Sequence, residues 1–151
     1  MNLRRFFCLL IVFSFATTIA RGSGWQTDYE KALATAKAAK KCVLLNFTGS
    51  DWCGPCIQME RVVFSKEAFL NFAQANLILV EVDYPRRKTL PEEVTKQNEL
   101  LLHRYSIENS GLPTLILLNP DGKNLGQRVG YGGEGPADII AWVEKLCAKS
   151  P

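Results

Sequence analysis

An apolar run, Cys42-Val43-Leu44-Leu45-Asn46-Phe47, is interrupted only by Asn46. It passes through Thr48-Gly49-Ser50-Asp51 into Trp52-Cys53-Gly54-Pro55-Cys56 and then into helical sequence. A short, bounded apolar run without alternation reads as a strand buried on both faces. Such a strand needs helices packed on each side of its sheet, which restricts the chain to an α/β architecture. Ligand chemistry in α/β sheets gathers at the strands' C-terminal ends, and two cysteines stand at that end here. Cys53 falls where unpaired backbone N–H groups and the helix dipole favour an anion, so its thiolate is stabilised. Gly54 leaves room for another chain to approach, and Pro55 is tolerated in a first turn. Cys56 lies within reach to attack a mixed disulfide on Cys53. The pattern points to thiol–disulfide exchange.

The remaining sequence supplies the layers this strand requires. Thr27-x-x-Glu30 fits a capping box for a helix carrying Tyr29, Ala32, Leu33 and Ala36 on one face. Helical sequence runs from Ile57 to Val63, and Ser65 reads as a new N-cap for Lys66 to Ala75. Leu77 to Val82 is a second strand of the buried type. A polar loop from Tyr84 contains Arg86-Arg87-Lys88, which reads as a solvated segment beside Glu92 and Glu93. A helix then starts near Pro91 and runs to Tyr105. Pro113 to Leu118 is a third strand, Asn119-Pro120-Asp121-Gly122 a turn, and Leu125 to Gly130 the return strand. Pro136 opens a closing helix with Ile139, Ile140, Val143 and Leu146 as its buried stripe. Helices alternating with the first two strands imply parallel pairing, and the hairpin adds an antiparallel edge.

The first twenty residues differ from the rest. Arg4 and Arg5 precede an apolar stretch from Phe6 to Phe15, and Thr18-Ile19-Ala20 offers a small-residue cleavage site. This is the layout of a secretory signal peptide over 1–20, leaving 21–151 as one domain. Export, most simply to a periplasm, is therefore expected, with a retained N-terminal anchor as the alternative. Removing Arg4 and Arg5 lowers the formal net charge from +3 to +1, and no electrostatic reason remains to expect nucleic acid as a ligand. Of the cysteines beyond the signal segment, Cys42 and Cys147 sit in apolar contexts and read as free buried thiols, a mutual disulfide being the alternative.

With these elements in this order, the sequence resembles the thioredoxin-like superfamily over nearly the whole of 21–151. Trp52-Cys53-Gly54-Pro55-Cys56 matches that family's active-site pentapeptide, and Gly111-Leu112-Pro113-Thr114 is similar to its cis-proline loop. The resemblance implies a thioredoxin fold, a central mixed β-sheet flanked by helices, with an additional N-terminal helix. It implies that Cys53 is an exposed nucleophile and Cys56 a buried resolving thiol, both catalytic, supported by Trp52, Gly54 and Pro55. It also implies that Pro113 is cis and that the Leu112 backbone pairs with a substrate strand. The family's buried acid on the first central strand corresponds here to Asn46, which cannot act as a base at neutral pH. Glu81 and Asp51 are the carboxylates that could substitute for it.

The expected activity is that of an exported protein-disulfide reductase, since Gly54-Pro55 is the dipeptide of reducing thioredoxins. A dithiol oxidase or isomerase is the alternative within the chemistry, and a non-catalytic binding module the alternative outside it. The redox group is the Cys53–Cys56 pair itself, with no separate cofactor. Expected partners are disulfide-containing proteins and a membrane or periplasmic electron donor, and the protein is expected to be a monomer. A zinc site is disfavoured because one close cysteine pair falls short of four ligands and His103 stands alone.

Overall fold

The computed structural model describes residues 24–149. The expected signal segment, with Cys8, lies outside them. In chain order the elements are β1 (Trp25–Gln26), α1 (Tyr29–Ala39), β2 (Cys42–Thr48), α2 (Gly54–Met59), α3 (Glu67–Asn76), β3 (Leu77–Asp83), α4 (Glu92–Arg104), β4 (Thr114–Leu118), β5 (Asn124–Val129) and α5 (Pro136–Cys147). A π-helical stretch, Glu60–Phe64, continues α2, and a 3-10 turn, Ile107–Asn109, follows α4.

The strands form one sheet in the order β1-β3-β2-β4-β5. β3 pairs in parallel with both β1 and β2, while β4 is antiparallel to β2 and to β5. The mixed sheet expected from the sequence is thus present, with β1 as an added edge. A strand of two residues is too short to carry any periodicity, and it therefore escapes a sequence reading.

Every residue of β2 is buried. Val43, Leu45 and Phe47 pack with Val80, Val82, Ile116 and Leu118 beneath α1 and α4. Cys42 and Leu44 point the other way, joining Leu77, Leu79, Leu115 and Leu117 beneath α3 and α5. Alternation along the strand continues this second face through Asn46 and Thr48 on β2, and through Glu81 and Asp83 on β3. At about 25 cal/mol per Å² of apolar area, burying a side chain the size of Phe47 contributes roughly 1.5–3 kcal/mol. The two-sided core therefore holds β2 as a rigid platform.

Two caps differ from expectation. Asp28 rather than Thr27 caps α1, its Oδ1 accepting from Lys31 N at 2.9 Å, while the Thr27 carbonyl accepts from Gln97 Nε2 at 2.7 Å. Ser65 does not cap α3. The π stretch carries the preceding helix on to Phe64, so the Ser65 hydroxyl donates back to the Arg61 carbonyl at 2.9 Å.

The free-thiol reading of Cys42 and Cys147 is corrected: the two are joined as a disulfide. Cys42 opens β2 and Cys147 closes α5, and the packing of α5 against the Leu44 face brings these ends together. Their sequence separation of 105 hid the pairing. No helix among the described residues is long and apolar enough to cross a membrane.

Candidate active site

β2 ends at Thr48, and a tight turn delivers the chain to α2: the Gly49 carbonyl accepts from Trp52 N at 3.2 Å and from Cys53 N at 2.9 Å. A side chain at Gly49 is excluded, because its Cβ would stand 2.5 Å from the Trp52 indole. Cys53 takes the N-cap position of α2, and its Sγ accepts a long hydrogen bond of 3.4 Å from Cys56 N. Pro55 lies in the first turn, where its missing N–H costs nothing. Gly54 faces open space, since a Cβ there would meet nothing within 4 Å.

Cys53 and Cys56 form a disulfide with an S–S distance of 2.07 Å. Cys53 is 6% exposed and Cys56 4%, so the expected contrast between an exposed and a buried sulfur is absent in this oxidised form. Bonding to each other covers both sulfurs. What separates the two is their surroundings: Cys53 sits at the helix mouth, whereas Cys56 lines a cavity beneath α2.

The Leu112–Pro113 peptide is cis, as the resemblance implied. Thr114 pairs with Phe47 in the antiparallel β2–β4 register, which sets Pro113 at the end of β2 where the chain turns toward Cys53. Trp52, Cys53, Gly54, Pro55, Cys56, Leu112 and Pro113 therefore share one end of the sheet. Tyr131 is packed against the core, and its hydroxyl donates to the Glu134 carbonyl at 3.0 Å. His103 lies on α4 with Nδ1 3.2 Å from Glu108, and no group of three metal-ligating side chains gathers among the described residues.

Arg86, Arg87 and Lys88 are exposed, as expected of a solvated segment, but contacts tie the segment to the loop before the cysteines and to β3. The Arg86 guanidinium lies 3.7 Å from the Trp52 ring centroid, a cation–π contact, and the Trp52 indole N–H donates to the Tyr84 carbonyl at 2.6 Å. Lys88 Nζ is 2.9 Å from Asp83 Oδ2, while Glu92 pairs with Lys96 rather than with the basic run. The Asp83 carboxylate, 3% exposed, also accepts from Ser50 N at 2.9 Å and Ser50 Oγ at 2.6 Å. Asp51 accepts from the backbone N–H groups of Arg86 and Arg87 at 2.9 and 2.7 Å. These N–H donors, that of Arg86 first, hold its carboxyl below the ordinary range. The loop before the cysteines and the loop after β3 are thereby one hydrogen-bonded unit.

Asp51, so engaged at the surface, is not the group that substitutes for a buried acid. Glu81 is placed differently. It stands opposite Asn46 in the β2–β3 register and, with Asn46, Cys56, Ile57 and Glu60, lines a cavity of about 350 Å³. Burial raises the Glu81 carboxyl above its ordinary value; the charges of Asp83 and Glu60 push the same way and that of Lys88 opposes them. Burial also raises Glu60. The buried Asn46 Oδ1 has no hydrogen-bond donor among the described residues. Sequence reasoning named Asn46 and Glu81 but could not place them together, and Glu60 carried no signal beyond its position one helical turn after Cys56.

A thioredoxin-like family model matches residues 24–120. The chain is 36% identical over 120 residues to disulfide bond reductase DsbH of Chlamydia pneumoniae, covering 80% of this chain and 70% of that protein. It is 32% identical over 115 residues to thioredoxin-related protein DsbJ of the same organism, covering 76% of this chain and 32% of that longer protein. A solved structure described as DsbH oxidoreductase superposes with a TM-score of 0.74 at 34% identity, covering 83% of this chain and 84% of the other. The matched span takes in every element from β1 through β4, and the chain therefore belongs to the thioredoxin-like family as a thiol–disulfide oxidoreductase of the DsbH and DsbJ type.

Proposed function

We propose that this oxidoreductase is an exported protein-disulfide reductase. The observation that carries the reading is the Cys53–Cys56 pair at the mouth of α2, on the same sheet end as the cis Leu112–Pro113 peptide. In the reduced enzyme the helix N–H groups favour a thiolate on Cys53, which attacks a substrate disulfide. The open side of Gly54 admits the substrate chain, the Leu112 backbone pairs with it as an added edge, and Trp52 supplies an apolar surface. Cys56 then attacks Cys53, releasing the reduced substrate and leaving the intramolecular disulfide. The dithiol is the whole redox group, and clients are proteins carrying disulfides.

Export rests on the Arg4-Arg5 and Phe6–Phe15 pattern, and it has a chemical consequence. Outside the cytosol a reducing glutathione pool is not at hand, so a membrane or periplasmic thiol carrier must re-reduce Cys53–Cys56. The relative's printed name, disulfide bond reductase, and the Gly54-Pro55 dipeptide both support the reducing direction.

Cys56→Ala should accumulate reductant-sensitive mixed disulfides through Cys53, and the same background with Cys53→Ala should accumulate none. Absence of adducts in the first variant overturns the assignment. A reduction potential near that of thioredoxin, about −270 mV, supports the reductase direction, whereas one near about −120 mV reverses it.

A further inference from the structure

Cys56 cannot resolve a mixed disulfide as a thiol; it must first lose its proton. At 4% exposure it is poorly placed to lose that proton to bulk solvent. The cavity beneath α2 is the other way out, and its walls hold two carboxyl groups, Glu81 and Glu60. Both carboxyls are partly withdrawn from solvent, and that burial raises each of them. Glu60 stands on the π stretch with more of its residue surface exposed, whereas Glu81 is half-buried on a strand whose register fixes its position. Adjacent strands lie roughly 4.8 Å apart, so Asn46 and Glu81 are side-by-side neighbours on the face that α2 covers. The Glu81 backbone is paired in the sheet, but its carboxylate has no hydrogen-bond or ion-pair partner among the described residues, and Glu81 lines the cavity.

We propose that Glu81 accepts the proton of the Cys56 thiol, directly or through one water in the cavity, and that Asn46 Oδ1 holds the resulting carboxylic acid. The unpartnered Asn46 oxygen supports the same assignment. An amide oxygen cannot take a proton, but it accepts a hydrogen bond, and a buried acceptor without a donor marks a place where one arrives. A protonated Glu81 supplies that donor.

The charged groups facing Glu81 suit the role. Asp83 on its own strand and Glu60 on the π stretch disfavour a further anion, Lys88 is engaged with Asp83, and Arg61 stands at the cavity wall. Burial, Asp83 and Glu60 outweigh the opposing charge of Lys88 and hold the carboxyl closer to a thiol in proton affinity than a solvated glutamate would be, which favours transfer.

The inference rests on dithiol exchange at Cys53 and Cys56. Cys53 thiolate forms a bond to one substrate sulfur, and the substrate disulfide breaks to release the other sulfur as a thiolate. Cys56 Sγ–H passes its proton to the Glu81 carboxylate. The Cys56 thiolate bonds to Cys53 Sγ, the Cys53–substrate bond breaks, and the departing thiolate takes the proton back from Glu81. Two electrons move from the dithiol to the substrate disulfide, and no other reactant is consumed.

Stopped-flow reaction of the reduced chain with the aromatic disulfide DTNB separates these events, because each releases one coloured thiolate. The first release reports attack by Cys53 and the second, intramolecular release reports Cys56. If wild type shows no fast first release, dithiol exchange at Cys53 fails, independently of any role for Glu81. Glu81→Gln should leave the first release unchanged, slow the second by at least about tenfold at neutral pH, and remove the carboxyl limb from its pH profile. Glu60→Gln should retain the second release and its carboxyl limb, with that limb moved only toward lower pH because one of the charges that raise Glu81 is gone. A second release in Glu81→Gln that matches wild type in rate and pH profile overturns the proposal, as does loss of that phase in Glu60→Gln alone. Should Glu81→Gln not fold, NMR titration of the isotope-labelled Glu81 carboxyl in wild type decides. Its midpoint should differ between the dithiol and disulfide forms, and identical midpoints overturn the proposal.

Discussion

Replacing Cys42 and Cys147 together by alanine opens a loop that spans most of the domain. The bridge joins residues separated by 105 positions, from the first residue of β2 to the last of α5. In the chain-entropy account, a cross-link closing about 100 residues removes roughly 4.7 kcal/mol of conformational freedom from the unfolded chain at 25 °C. Packing adds little, since each alanine removes a single sulfur and Cys147 is only half-buried. The expected loss is therefore about 3–5 kcal/mol, a large share of the 5–15 kcal/mol typical of a domain. The Cys53–Cys56 bridge has a sequence separation of 3, so its reduction removes far less of this entropy and should leave stability close to that of the oxidised protein.

Guanidinium unfolding followed by tryptophan fluorescence measures the difference. Trp25 reports on the α3–α5 side of the core, where its ring meets Phe64 at 5.1 Å between centroids. The denaturant dependence should also steepen in the double variant, because the unlinked chain expands further and exposes more surface. A loss below about 1 kcal/mol with an unchanged slope would refute the entropic reasoning. Alkylation of Cys42 and Cys147 in unfolded, never-reduced protein would refute the bridge itself.

Two further outcomes follow from the polar groups around β3. Because burial raises the Glu81 carboxyl, the folded chain binds its proton more tightly than the unfolded chain, and stability from this group falls as pH rises from about the ordinary value of 4.5 through the raised one. Glu81→Gln should therefore unfold at higher denaturant than wild type above that window and show no gain below it; a gain that persists under acid conditions refutes the linkage. Asp83→Ala removes the acceptor for Ser50 N, Ser50 Oγ and Lys88, which should cost about 2–4 kcal/mol in thermal or denaturant unfolding and increase amide exchange across Thr48–Trp52. Unchanged exchange in that loop would show that Asp83 does not hold it.

The architecture was legible because its determinants are local. The unbroken apolar runs at Cys42–Phe47 and Leu77–Val82 could be satisfied only by a sheet covered on both faces, and they became β2 and β3. Asn119-Pro120-Asp121-Gly122 marked the hairpin for an equally local reason: Gly122 adopts a φ of +80°, which few other residues accept, and Asn119 Oδ1 accepts from Asp121 N and Lys123 N. Boundaries slipped where a competing partner came from elsewhere. Thr27 lost its capping role to Asp28 while its carbonyl bonded Gln97, 70 positions away. Ser65 was displaced by a π stretch that no residue pattern announces.

By itself the sequence determined the chemistry and the place for it, because Trp52-Cys53-Gly54-Pro55-Cys56 and Gly111-Leu112-Pro113-Thr114 are each short enough to specify their own geometry. What surrounds the cysteines was decided by tertiary structure alone. Glu81 stands beside Asn46 because two parallel strands share a register across a helical crossover, and Arg86 covers Trp52 because Asp51 grips the backbone of a loop 35 positions later. The Cys42–Cys147 bridge awaits the docking of the last helix against the first residue of β2. In each case the partners are distant in sequence and lie within no common period. Only packing the layers on the sheet brings them within bonding distance.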